Sequence, residues 1–165
     1  MSLETISSVG HVEFRPIRPD DRAALVRYFE AITPEDIRMR FFGPMRALST
    51  KQLNRMTNVD PRRELAYVVV DHVTSDLLSI GRLAFEPGTE RAEFAISVRS
   101  DMKGRGIGRF VMERIIAAAR ERGIAEIFGD ILEENTTMLA FAKQLGFALT
   151  NVPESAAIVR ATYKL

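Results

Sequence analysis

Three apolar segments separated by short turns occupy the middle of the chain and restrict its fold more than any other feature. The segments are Leu65–Val70, Leu77–Phe85 and Arg91–Val98, and the turns between them lie at 72–76 and 87–88. They are rich in residues that favour strands, and turns this short leave successive strands antiparallel. This part of the sequence therefore predicts an antiparallel meander.

Shorter signals on both sides of the meander predict further strands and helices. A strand at Val12–Ile17 precedes a helix that we expect Asp20 to cap, and two more helices begin at Thr33 and at the capping box Ser49–Gln52. After the meander the pattern predicts a helix, a strand, a helix and two strands, over 109–122, 124–132, 136–145, 147–150 and 157–163. The order βαααβββαβαββ predicts an α/β fold with a mixed, mostly antiparallel sheet flanked by helices.

The composition excludes several classes of function. The 165 residues carry a formal net charge of +1, which argues against a nucleic-acid-binding protein, since such proteins usually show a basic excess. The chain has no cysteine and only two histidines, so we expect no disulfide, no cysteine nucleophile and no metal site. Without a leader or a run of about 20 apolar residues, we expect a cytoplasmic protein that needs no membrane.

The most informative motif lies between the third meander strand and the next helix. Gly104, Gly106 and Gly108 alternate there, so the backbone can turn tightly and approach a ligand closely. The free N–H groups and the dipole of the following helix favour an anion at the same place. Four basic side chains flank this loop, namely Arg99, Lys103, Arg105 and Arg109. The segment therefore predicts a site for a phosphorylated ligand.

The spacing of the glycines decides which phosphorylated ligand fits. A P-loop needs Gly-Lys followed by Ser or Thr, whereas here the chain continues Ile107-Gly108-Arg109. A dinucleotide fingerprint needs Gly-x-Gly-x-x-Gly directly after a buried parallel strand. Here the glycines alternate, and the preceding strand belongs to an antiparallel meander. The remaining alternative is a glycine-rich turn that only starts a helix.

Lys103-Gly-Arg-Gly106-Ile-Gly108 resembles the Gln/Arg-x-x-Gly-x-Gly/Ala signature of the GNAT superfamily of N-acetyltransferases. Asn135-x-x-Met138 and Lys143-Gln-Leu-Gly146-Phe147 are similar to the second GNAT motif. The resemblance implies a GNAT domain over residues 11–165, after a flexible tail over 1–10, with acetyl-CoA as co-substrate. It also implies that the pyrophosphate lies on the backbone amides of the loop. The implied contacts with acetyl-CoA are Val98, Arg99, Lys103, Gly104, Arg105, Gly106, Ile107, Gly108, Arg109 and Asn135.

Four further segments resemble the acetyltransferase domain of the bacterial protein-lysine acetyltransferases called Pat. They are Phe14–Asp21, Arg40–Phe42, Val59–Ala66 and Leu132–Met138. The resemblance implies a lysine of a protein, such as an acyl-CoA synthetase, as acceptor. Monomer and homodimer both remain open. The identity of the acceptor also remains open, because the hydrophilic side chains near the acceptor side in the family, Arg38 and Arg40 among them, are best interpreted as surface charges.

Glu93 is the candidate general base. Alternation along the third meander strand places Glu93, Ala95 and Ser97 on one face, opposite Phe94 and its apolar neighbours. From alternation alone a solvated strand residue is an equal interpretation, and the GNAT resemblance favours the base, with Glu90 as the weaker candidate. Many GNAT enzymes carry a tyrosine as general acid where this chain has Ala142.

Three functions remain open at this point. The first is a protein-lysine acetyltransferase, the second an acetyltransferase for a small amine, and the third a module that binds acyl-CoA without turning it over. Glu93 speaks against the third, while Ala142 speaks slightly for it.

Overall fold

The computed structural model describes residues 3–43, 45 and 47–165, which form one eight-stranded sheet with helices on both faces. The strands are β1 Leu3–Ile6, β2 Gly10–Pro16, β3 Glu64–Asp71, β4 Leu77–Phe85, β5 Arg91–Val98, β6 Glu126–Leu132, β7 Ala148–Val152 and β8 Ser155–Lys164. The α-helices are α1 Arg22–Glu30, α2 Pro34–Phe41, α3 Thr50–Thr57, α4 Ile107–Glu121 and α5 Thr136–Gln144. Short 3₁₀ helices at Pro19–Asp21 and Ser100–Met102 precede α1 and α4.

The sheet is mixed and mostly antiparallel, as the sequence predicts. Its strand order is β1-β2-β3-β4-β5-β6-β8-β7. Every neighbouring pair is antiparallel except β5 and β6, which are parallel because α4 carries the chain back between them. Among the described residues, no helix is both long and apolar enough to cross a membrane.

The N-terminal segment differs from the prediction. Residues 3–6, which we expected in a flexible tail over 1–10, form β1, and Leu3 to Ile6 pair with Glu13 to Gly10 of β2. Ile6 is buried, and Glu4 forms an ion pair with Arg114 of α4. The element order is therefore ββαααβββαβαββ, and a strand of four residues is too short for periodicity to reveal it.

The helix starts agree with the sequence at two places and differ at a third. Thr33 Oγ1 accepts a hydrogen bond from the backbone N–H of Asp36 at 3.2 Å, and Ser49 caps α3 together with Gln52. Asp20, however, does not cap α1, which begins at Arg22. The prediction was wrong because Pro19 starts a 3₁₀ turn there, so that α1 begins later.

Two apolar clusters cover the two faces of the sheet. Along β3, Val68 and Val70 belong to the cluster under α1, while Val69 between them belongs to the cluster under α4 and α5. Successive side chains of a strand point to opposite faces, so the sheet is packed on both sides.

Candidate active site

The sheet opens between β5 and β6. Their parallel pairing ends at Glu93 and Phe128, although β5 continues to Val98 and β6 to Leu132. On their other edges both strands stay paired, β5 with β4 and β6 with β8. The two strands therefore separate, and the β6-facing edge of residues 94–98 has no strand partner.

A cavity of about 510 Å³ lies at this opening. Phe94 to Val98 line it from β5, and Asp130 and Ile131 line it from β6. The loop before α4, the first turns of α5 and one side of α2 complete its walls. Because it lies along the unpaired edge of β5, the cavity suits a ligand that hydrogen-bonds to a strand edge.

The glycine loop forms one end of the cavity. Gly104 and Gly106 have φ angles of 73° and 86°, in the left-handed region that favours glycine. Gly106 is the N-cap of α4, and no side chain caps this helix. The first N–H groups of α4 at Ile107, Gly108 and Arg109 therefore lie beside the cavity, at the positive end of a 15-residue helix.

The basic side chains around the loop are mostly paired with acids. Lys103 Nζ lies 2.5 Å from Asp36 Oδ1, and Arg99 holds both carboxylate oxygens of Asp101, at 2.6 and 3.0 Å. Burial opposes ionisation of Asp36, yet hydrogen bonds from Lys103 and Ser100 outweigh it and lower the pKa of Asp36. The loop therefore offers an anion its backbone amides more than free side-chain charge.

The other predicted contact residues divide into two groups. Lys103, Gly104, Val98 and Asn135 line the cavity, as do the first residues of α4, whereas Arg99 and Arg105 do not. Arg105 is exposed, and its carbonyl accepts a hydrogen bond from Ser8 Oγ at 2.7 Å. Asn135 Oδ1 accepts from the Met138 N–H at 3.2 Å and so caps α5.

Glu93 lies at the point where β5 and β6 part. It is exposed, and the five β5 residues after it line the cavity. The predicted faces of β5 are correct, since Phe94 is in the core while Ser97 Oγ meets the Tyr28 hydroxyl of α1 at 2.7 Å. Glu90 precedes β5, and its carbonyl accepts the N–H of Ala125 at 2.8 Å.

The chain matches the family model described as Acetyltransferase (GNAT) domain over residues 11–148. It belongs to this family. A GNAT protein takes its acetyl group from acetyl-CoA, so the chain is an N-acetyltransferase. The opening between β5 and β6 and the uncapped N-terminus of α4 offer strand edges and amides of the kind that pantetheine and pyrophosphate require.

Several similar proteins are named as acetyltransferases. An acetyltransferase of Pseudomonas aeruginosa is 24% identical over 154 residues, which cover 92% of this chain and 83% of that protein. The acetyltransferase Pat of Mycolicibacterium smegmatis is 27% identical over 136 residues, which cover 80% of this chain and 40% of Pat. The crystal structure of the GNAT domain of S. lividans PAT has a TM-score of 0.89 at 26% identity, covering 99% of this chain and 96% of that domain.

This GNAT domain offers no obvious tyrosine acid. Ala142, at the position of the family's tyrosine, is fully buried in the core. Tyr67 stacks on Phe14 and Tyr163 packs on Phe147, with ring centroids 4.9 and 5.1 Å apart. The Tyr28 hydroxyl hydrogen-bonds with Ser97, which lines the cavity, and burial raises the pKa of this phenol.

The sequence did not predict that α2 forms one wall of the cavity. Asp36 and Arg40 of α2 line the cavity, although Arg40 was interpreted as surface charge. The helix has eight residues and none of them is fully buried, so its pattern contains no signal for a ligand-facing side. Only the resemblance of the segment Arg40–Phe42 to Pat-like domains pointed to it.

Proposed function

We propose that this chain acetylates the side-chain amine of a lysine within a protein, such as an acyl-CoA synthetase, with Glu93 as general base. The observation that carries the proposal is the likeness to the GNAT domain of S. lividans PAT, which extends over nearly the whole of both chains. The four segments that resemble Pat-like domains lie in β2, α2, the start of β3 and the β6–α5 junction, and two of these border the cavity.

Acetyl-CoA binds, in this proposal, along the open edge of β5. The backbone amides at Gly104 to Arg109 hold the pyrophosphate at the positive end of α4. The unpaired edge of residues 94–98 receives the amide groups of pantetheine, as an added strand would. This direction puts the thioester near the Glu93 end of β5.

Glu93 then takes a proton from the acceptor. A lysine amine has a pKa of about 10.4, so making it neutral at pH 7 costs about 4.6 kcal/mol at 1.36 kcal/mol per pKa unit. The Glu93 carboxylate accepts that proton directly or through a water, and the amine nitrogen attacks the thioester carbonyl carbon. The new C–N bond forms, the C–S bond breaks and coenzyme A leaves as a thiolate.

Protonation of the thiolate does not require a side chain. A thiol comparable to cysteine has a pKa of about 8.5, so its thiolate is a good leaving group and water can supply the proton. The mechanism is consistent with Ala142 where many GNAT enzymes have tyrosine.

A thiol-release assay with acetyl-CoA tests the proposal. We expect coenzyme A release, above the rate without acceptor, with acyl-CoA synthetases that contain an exposed lysine, together with one new acetyl-lysine found by mass spectrometry. The same assay with amino acids and polyamines tests the alternative. Rapid turnover of small amines combined with no acetylation of any protein would overturn the assignment of the acceptor while leaving the N-acetyltransferase activity in place.

A further inference from the structure

Arg40 is a half-buried guanidinium without a partner among the described residues. It lies in the last turn of α2 and lines the cavity. Its neighbours on the helix are paired, Asp36 with Lys103 and Arg38 with Glu134. For Arg40, by contrast, the described part of the chain provides no hydrogen-bond acceptor and no carboxylate within ion-pair distance, and its guanidinium lies over the ring of the adjacent Phe41, 4.6 Å from centroid to Cζ.

Burial and a second guanidinium both disfavour the charged form of Arg40. Burial lowers the pKa of Arg40, and the nearby Arg82 lowers it further. Arg82 extends from β4, donates to the Met56 carbonyl at 2.9 Å and lies 3.5 Å from Glu64. Tyr28 and Glu93 act in the opposite direction, but neither Glu93 nor Glu64 lies within ion-pair distance of the Arg40 guanidinium. Holding an unpaired charge partly out of water is unfavourable, and an anionic group placed beside it removes that cost.

The position of Arg40 along the cavity indicates which ligand supplies the anion. Asp36 marks the end of α2 at the glycine loop, where Lys103 binds it. Arg40 follows four residues later, about 6 Å further along the helix axis. Arg40 therefore lines the cavity further from the glycine loop than Asp36 does, on the side from which, in the proposed function, the acceptor amine arrives. In the proposed complex, the phosphates of acetyl-CoA lie on the other side of Asp36, at the glycine loop.

We propose that Arg40 binds a carboxylate that the acceptor carries close to the amine that becomes acetylated, and that it thereby selects among acceptors. In a protein acceptor this carboxylate belongs to an Asp or Glu next to the target lysine. In a small acceptor it belongs to the same molecule as the amine. The inference rests on the proposed function only in the choice of a protein as acceptor.

Two matched pairs of acceptors test a carboxylate in a protein acceptor and a carboxylate in a small acceptor separately. One pair is a lysine peptide with Glu or with Gln beside the lysine, and the other is 6-aminohexanoate against hexylamine. We expect kcat/KM to favour the acidic member by about 10- to 100-fold, the range for a hydrogen-bonded charge pair. In Arg40→Gln this ratio should fall to near 1, whereas Arg40→Lys should keep part of it. Arg38→Gln, the same change of charge two residues away on α2 and outside the cavity, should keep the full ratio.

The ratio within each variant is the decisive measurement, because a general loss of activity or of folded protein cancels from it. Equal kcat/KM for both members of each pair in the wild-type protein would overturn the inference, and so would an unchanged ratio in Arg40→Gln. If only the small amines are acetylated, the protein acceptor is wrong, and the ratio for 6-aminohexanoate and hexylamine still decides the role of Arg40.

Discussion

Glu93 and Arg40 carry opposite charges on neighbouring elements, and their different exposure suits different tasks. Glu93 is exposed at the end of the β5–β6 pairing, whereas Arg40 is half-buried in the cavity wall. An exposed carboxylate is open to an acceptor amine and can take its proton directly or through a water. Arg40 keeps its charge at any physiological pH, which suits binding rather than proton transfer.

Replacement of Glu93 by Gln tests the base at the scale of one residue. The variant keeps the size of the side chain and removes the proton acceptor, so turnover should fall by about 10²–10⁴-fold at pH 7, with acetyl-CoA affinity near that of the wild type. The loss should shrink as pH rises, since more of the amine is then already neutral. Steady-state kinetics from pH 7 to 10 and calorimetry with acetyl-CoA measure both effects.

An unchanged turnover number for Glu93→Gln at pH 7, with the acceptor saturating, would show that Glu93 is only a solvated strand residue. Glu90→Gln provides the matched control, because Glu90 lies in the turn before β5 and should change turnover little. If Glu90→Gln instead reproduced the loss expected for Glu93→Gln, the assignment of the base would move to Glu90.

Single residues were predictable from the sequence where a local pattern fixes their position. Alternation along β5 correctly gives the face of Glu93, and a capping motif correctly gives Thr33. Arg40 was not predictable in the same way. Its place in the cavity depends on how α2 lies across β5, and that is a tertiary contact between residues more than 50 positions apart.

At the scale of elements, the glycine loop and α4 together form the anion site that we propose for the pyrophosphate of acetyl-CoA. The helix supplies amides that no side chain caps, and the left-handed Gly106 places its first turn beside the cavity. A Cβ added at Gly106 would meet nothing within 4 Å, so the fold itself leaves room there. Glycine is required for its backbone angle, and in the proposed complex also for close approach of phosphate.

Gly106→Val tests this element, because a β-branched residue at a φ of 86° is strained and would crowd a phosphate. We expect the variant to lose most of its affinity for acetyl-CoA in calorimetry. Acetyl-pantetheine, which lacks the phosphates, should bind the wild-type protein much more weakly than acetyl-CoA does. Equal affinities for the two ligands, or an unchanged dissociation constant in folded Gly106→Val, would contradict the anion site.

Elements were predictable to the extent that local signals define them. The bounds of β4 and β5 match the predicted segments Leu77–Phe85 and Arg91–Val98, because turn residues and apolar alternation mark both ends. The separation of β5 from β6 has no such local signal. The two strands pair at only three positions, and neither strand's own residue pattern marks the place where this pairing ends.

At the scale of the whole molecule, the N-terminal segment connects the sheet with α4 and the glycine loop. β1 pairs with β2, Glu4 forms an ion pair with Arg114 of α4, and Ser8 donates to the carbonyl of Arg105 in the loop. The predicted tail is thus part of the face that carries α4. Its burial follows from contacts with residues about 100 positions away, which no local pattern in the first ten residues can show.

Ile6→Ala measures how firmly this strand belongs to the molecule. Ile6 is 7% exposed within the cluster under α4, so its truncation should lower the free energy of unfolding by about 2 kcal/mol or more, near the lower end for a buried Ile→Ala change. Leu3→Ala is the matched control on the same strand, because Leu3 is 49% exposed and its loss should cost at most about 0.5 kcal/mol. Urea unfolding monitored by circular dichroism gives both values. Equal and small effects of the two substitutions would mean that residues 3–6 behave in solution as the flexible tail predicted from sequence, and that the sheet is complete without β1.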